Sequence, residues 1–104
     1  MKTTYREILE AKQGLRKLLD QQLPAAQAIA LARLVQKLNA ELALFSEQQQ
    51  RLPADEQQRR QKFEELLAVE VEIDSDKVTL TLREIDAGTV LATGAFVEIE
   101  EATE

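Results

Sequence analysis

Val69-Glu70-Val71-Glu72-Ile73-Asp74 decides how this chain divides. Aliphatic and acidic residues alternate strictly along it, and a period of two marks a strand with one covered face and one wet face. Upstream, apolar residues recur every three to four positions, the spacing of helices. The charge changes at the same point. Residues 1–68 carry 11 Lys/Arg against 9 Asp/Glu, a balance of +2, whereas residues 69–104 carry 2 against 10, a balance of −8. The fold class this predicts is α+β. It is an antiparallel helical hairpin with a long second helix and a third helix, packed with a small C-terminal antiparallel β-sheet. The whole chain, 1–104, is expected to form one domain with a helical part (1–68) and an acidic β part (69–104).

Working forward, Ser75-Asp76-Lys77 reads as a short turn. Val78, Leu80 and Leu82 then alternate with Thr79, Thr81 and Arg83 as a second strand. The expectation is a hairpin between these two strands, laid on the helices because an isolated two-stranded sheet is marginal in water. Residues 84–95 stay open: Asp86-Ala87-Gly88 signals a turn, and Thr89 to Ala95 suits either a short helical turn or a strand. Phe96-Val97-Glu98-Ile99-Glu100 is a third strand or a terminal extended segment, and Glu101 to Glu104 a frayed end.

Working backward, the first helix starts at Thr3 or Thr4, where Thr4 and Glu7 have the spacing of a capping box. Gly14 lies within this helix, at a cost of about 1 kcal/mol relative to Ala. The close approach of another helix, or simple tolerance, accounts for it. Leu23-Pro24 ends the first helix and opens the second, since the residue before proline avoids the helical region while proline suits a helix start. From Ala25 to about Leu52, Ala28, Leu31, Val35, Leu38, Leu42 and Phe45 form a heptad stripe. Ala25, Ala26, Ile29, Ala30, Ala32 and Leu34 widen it in the first half, which predicts burial there on several sides. Leu52-Pro53 is a second connector, and a third helix runs from about Ala54 to Ala68 with Phe63, Leu66 and Leu67 on its apolar face.

The composition closes several chemistries. The chain has no Cys and no His, which removes thiolate nucleophiles, disulfides, the commonest general base and the commonest transition-metal ligand. Gly14, Gly88 and Gly94 are scattered, so they form no phosphate-cradling loop, and Ser46 and Ser75 have no histidine to activate them. No catalytic residue, metal site or cofactor is assigned, and an enzyme is not expected. Arg51, Arg59, Arg60 and Lys62 spread around a helix as a solvated face. A net charge of −6 disfavours direct nucleic-acid binding.

Two features carry functional readings beside their structural ones. Glu70, Glu72 and Asp74, together with Glu98 and Glu100, form first of all a solvated outer face that keeps a strand edge from pairing. Placed side by side on one sheet, they also suit docking of a basic protein partner, or, less favourably, Ca²⁺ or Mg²⁺. The stripe Leu38, Leu42 and Phe45 is either the seam of an intrachain helical hairpin or an oligomer seam reaching past it.

The run Leu23-Pro24-x-x-x-Ala28-x-x-Leu31-Ala32-x-Leu34-x-x-x-Leu38-x-x-Glu41-Leu42-x-x-Phe45, followed by Arg51-Leu52, resembles small uncharacterised proteins of tailed bacteriophages and prophages. Phe63-x-x-Leu66-Leu67-x-x-Glu70-Val71-Glu72-Ile73, then Leu82-x-x-Ile85 and Phe96-x-Glu98, extend the similarity over most of the chain. The stretch between Leu52 and Phe63 is shorter here than in that pattern. The resemblance carries no catalytic residue. It implies a viral or prophage origin and a binding role; with the heptad-patterned helix and the acidic C-terminal face, the expected function is a non-catalytic interaction protein, a small structural or chaperone-like subunit in virion assembly. The alternative is an anti-host inhibitor whose acidic surface blocks a basic nucleic-acid-binding site. The expected partner is a protein, or a second copy, with no membrane and no small-molecule substrate. The expected location is the bacterial or host cytoplasm, or the virion.

Overall fold

The computed structural model describes residues 1–82 and 85–101. The chain runs β1 (Lys2–Thr4), α1 (Tyr5–Leu19), α2 (Ala25–Gln50), α3 (Glu56–Leu67), β2 (Glu70–Glu72), β3 (Val78–Leu82), α4 (Ala87–Thr93) and β4 (Val97–Glu101). The class is α+β with the helical hairpin in place. The places read for Arg83 on the polar face of a strand and for the frayed residues 102–104 lie outside the described residues.

Each helix starts where local chemistry says it should. The Thr4 hydroxyl accepts from the Glu7 N–H at 3.3 Å, satisfying one free donor of the first turn of α1. Pro24, with φ −51° and ψ 143°, precedes α2, and its carbonyl accepts from the Ala28 N–H at 2.9 Å. Asp55 caps α3 through the Gln58 N–H at 3.0 Å.

Tyr5 at the start of α1 meets Phe45 near the end of α2, their ring centres 5.2 Å apart, so the two helices run antiparallel. Phe63 of α3 folds back onto Phe45 at 6.0 Å. Ile8, Ala11, Leu15 and Leu18 of α1 close against Leu31, Leu34, Leu38 and Phe45 of α2. At 1.5 Å per residue the 26 residues of α2 span roughly 39 Å. Its far end, joined to α3, projects beyond the rest. The radius of gyration is therefore 15.6 Å, against about 13 Å for a compact chain of this length.

Two sequence readings are corrected here. The first half of α2 is not buried on several sides. Leu31 and Leu34 are buried, but Ala25, Ala26 and Ile29 are exposed. Among the described residues, α1 and β3 supply the main contacts of that half, and its outer surface stays wet. The expected hairpin between the two alternating segments is also absent. β2 pairs antiparallel with β1, setting Thr3 opposite Val71, and β3 pairs with β4 in parallel, setting Leu80 opposite Ile99. Strand β1 had no counterpart in the sequence reading. Parallel pairing needs a crossover of a dozen or more residues. Between β3 and β4 stands α4, within the stretch left open in the sequence, of which Glu84 lies outside the described residues; Asp86 caps it, its carboxylate accepting from both the N–H and the hydroxyl of Thr89.

α4 lies against α1 at Gly14. A Cβ built on Gly14 would stand 2.7 Å from the Thr93 Cγ2 methyl, and 3.5 Å from that of Thr89. Thr93 is fully buried, and its hydroxyl donates to the Thr89 carbonyl at 2.7 Å, so its methyl cannot rotate away without breaking that bond. Of the two explanations for a mid-helix glycine, close approach is the one observed. Gly14→Ala gains about 1 kcal/mol of helix propensity. The overpacking costs more, typically 1–3 kcal/mol. A net loss of about 1 kcal/mol is expected in urea unfolding. Adding Thr93→Ser, which deletes the clashing methyl and keeps the hydroxyl, should recover most of it; a fully stable Gly14→Ala single variant would contradict this account.

Candidate functional site

The two candidate features occupy different places, and packing separates them. Leu38 and Phe45 are buried and Leu42 is half-buried. Tyr5, Ile8 and Leu15 of α1 and Phe63 of α3 surround this stripe, so the seam is filled from within the chain. This is the packing that the intrachain-hairpin reading of the stripe describes, and Leu42 alone of the three keeps part of its surface outward. The large apolar side chains left outward on α2 are Ile29 and Leu44, 15 residues apart and separated by polar positions such as Arg33 and Gln36.

The seam includes one polar contact. The Tyr5 hydroxyl donates to Glu41 Oε2 at 3.1 Å. Burial of the ring raises the Tyr5 pKa above its usual value, and the hydrogen bond to the Glu41 carboxylate and that carboxylate's charge raise it further.

The acids do not share one sheet. Glu70 and Glu72 lie on β2 and Glu98 and Glu100 on β4, in two separate two-stranded sheets, while Asp74 sits in the loop between β2 and β3. The expectation that they share a sheet is overturned, because β2 takes β1 as its partner and leaves β3 to β4. Their electrostatic settings differ as well. Lys2 stands directly across from Glu72, the Met1 ammonium lies 3.7 Å from the Glu72 carboxylate, and Lys37 donates to the Asp74 carbonyl. Cations thus stand beside Glu72 and the Asp74 backbone, whereas Glu70 faces the neutral Thr4.

Glu98 and Glu100 are different. They project from the same exposed face of β4, about 7 Å apart along the strand. Their cross-strand neighbours are the neutral Thr79 and Thr81. Among the described residues, no cation lies within ion-pair distance of either carboxylate. On the covered face, Val97 is buried with Val78, Leu80 and Leu82, and Ile99 is half-buried. Among the described residues, no group of three or more Asp or Glu side chains is arranged to hold a metal ion.

The two edges of the β3–β4 sheet are also unlike. On the β3 side, Gln27 of α2 closes the edge: its Oε1 accepts from the Thr81 N–H at 2.8 Å, and its Nε2 donates to the Thr81 hydroxyl at 3.1 Å. The carboxamide satisfies strand groups as another strand would. A glutamine near the start of a helix carries no sequence signal for this role, and it was not foreseen. On the β4 side, no strand of the described residues pairs.

Comparison with known proteins finds no matching family model, no matching curated protein and no matching solved structure. No helix among the described residues is long and apolar enough to cross a membrane.

Tyr5→Phe tests the seam. Losing the hydrogen bond should cost about 1 kcal/mol at neutral pH. Because the folded protein holds the Tyr5 proton more tightly than the unfolded chain, this stability is complete below about pH 10 and is lost as pH rises through the raised folded value. Urea unfolding between pH 7 and 11 should therefore show a steeper alkaline loss for the native chain than for Tyr5→Phe. Parallel curves would refute the contact.

Proposed function

We propose that this is a non-catalytic interaction protein of phage or prophage origin. In this reading it is a small structural or chaperone-like subunit of virion assembly that docks a basic protein partner on the acidic outer face of β4. The single observation that supports it is the pair Glu98 and Glu100, both exposed on a strand whose outer edge no strand of the described residues pairs, with uncharged threonines opposite them on β3. Like charges with no counterion among the described residues raise the local negative potential and steer a basic partner. The setting rests on the resemblance carried by the Leu23–Phe45 and Phe63–Ile73 spacings. The assembly role passes from the helix to the strand, because Leu38, Leu42 and Phe45 are used inside the chain.

By itself the chain is expected to sediment as an elongated monomer. In the encoding phage or lysogen, the double variant Glu98→Lys, Glu100→Lys should stop particle formation while genome replication continues, with the variant chain still folded by circular dichroism. Co-purification with the partner from the native background should weaken strongly between roughly 50 mM and 500 mM salt, as screening predicts. Normal particle yield from the double variant would overturn the assembly reading. If host nucleic-acid processing is relieved instead, the inhibitor reading takes its place.

A further inference from the structure

The open edge of β4 has a definite hydrogen-bonding pattern. The Val78 N–H donates to the Phe96 carbonyl at 3.1 Å, and Val78 stands opposite Val97. In a parallel ladder this register turns the N–H and C=O groups of Glu98 and Glu100 toward β3. Those of Val97 and Ile99 point the other way, away from the sheet. The same rule turns the backbone of Thr81 outward on β3, where Gln27 is observed to meet it. One outward edge of this sheet is thus capped by a side chain, and the other offers two residues' worth of backbone donors and acceptors that no described residue pairs.

We propose that β4 accepts a third strand from a protein partner: an extended segment with Lys or Arg at alternate positions and aliphatic residues between. This rests on the docking role given above and specifies how the partner binds. Three features select this occupant. Unpaired backbone groups on a strand edge are a template for strand addition. Val97 is buried and Ile99 half-buried on the covered face, so aliphatic residues of the incoming strand would continue an apolar row. On the other face the incoming residues would lie beside Glu98 and Glu100. In an antiparallel arrangement these are the non-hydrogen-bonded positions, where Cα atoms come within about 4.5 Å and side chains are closest. Opposite charges across such pairs stabilise.

The same geometry argues against a second copy. Any antiparallel register of β4 with itself that keeps Val97 and Ile99 on the apolar side sets Glu98 or Glu100 opposite another glutamate. Like charges directly opposite are destabilising.

The test uses the full chain, isotopically labelled, and three capped heptapeptides. The first alternates lysine with valine. The second is identical but N-methylated at the valines, whose amides would face β4. The third replaces each lysine by glutamate. The first peptide should bind and slow hydrogen exchange at the Val97 and Ile99 amides by at least about tenfold, and N-methylation should weaken binding by at least about tenfold. The glutamate peptide should bind only the Glu98→Lys, Glu100→Lys variant. Equal affinity of the first two peptides would overturn strand addition and leave the acidic docking surface standing. Failure of both lysine peptides to bind would overturn the two together.

Discussion

The contact on which the C-terminal half depends is the close approach of α4 to α1 at Gly14. The buried methyl of Thr93 occupies the space a side chain at position 14 would fill. Holding α4 there places a helix between β3 and β4, and a strand–helix–strand path brings the second strand back parallel to the first. Without that anchorage a parallel pair of five residues each would have little to hold it, since two strands alone are marginal. The sheet is stable because its apolar side, Val78, Leu80, Leu82 and Val97, is buried in the same core as α1 and α2.

From this follows the asymmetry of the sheet. α2 passes beside β3 closely enough for Gln27 to cap its edge, while β4 is left at the outside. The acids on β4 then serve two ends with one chemistry. They oppose self-pairing of an exposed edge, which is the general use of charge on edge strands. They also bias any segment that does pair toward the opposite charge. Exclusion of the chain's own copies and selection of a basic partner are the same electrostatic term with opposite sign.

The helical arm answers a different requirement. α2 is longer than α1 can cover, and the excess is closed by α3 turning back so that Phe63 completes the cluster around Phe45. Tyr5 joins this cluster with its ring while its hydroxyl reaches Glu41 at the rim. An elongated shape is therefore compatible with a continuous core, and the heptad stripe needs no second chain to shelter it.

The sequence by itself determined the elements whose signals are local. The Thr4 and Pro24 starts, the helical stripe through Leu31, Leu38 and Phe45, and the alternation at Val71, Ile73, Val78 and Leu80 all follow from chemistry within a few residues, and all appear in the fold. The exposure of Glu70, Glu72, Glu98 and Glu100 was legible for the same reason. Pairing was not. Alternation shows that a segment is a strand with one covered face, but a strand carries no record of its partner, and Lys2-Thr3-Thr4 is too short to announce one. Only the tertiary structure decided that β2 joins β1, that β3 joins β4 in parallel, that the two acid rows part, and that Gln27 closes one edge and leaves the other open. These outcomes depend on contacts between residues far apart in the chain, and periodicity is silent about distance.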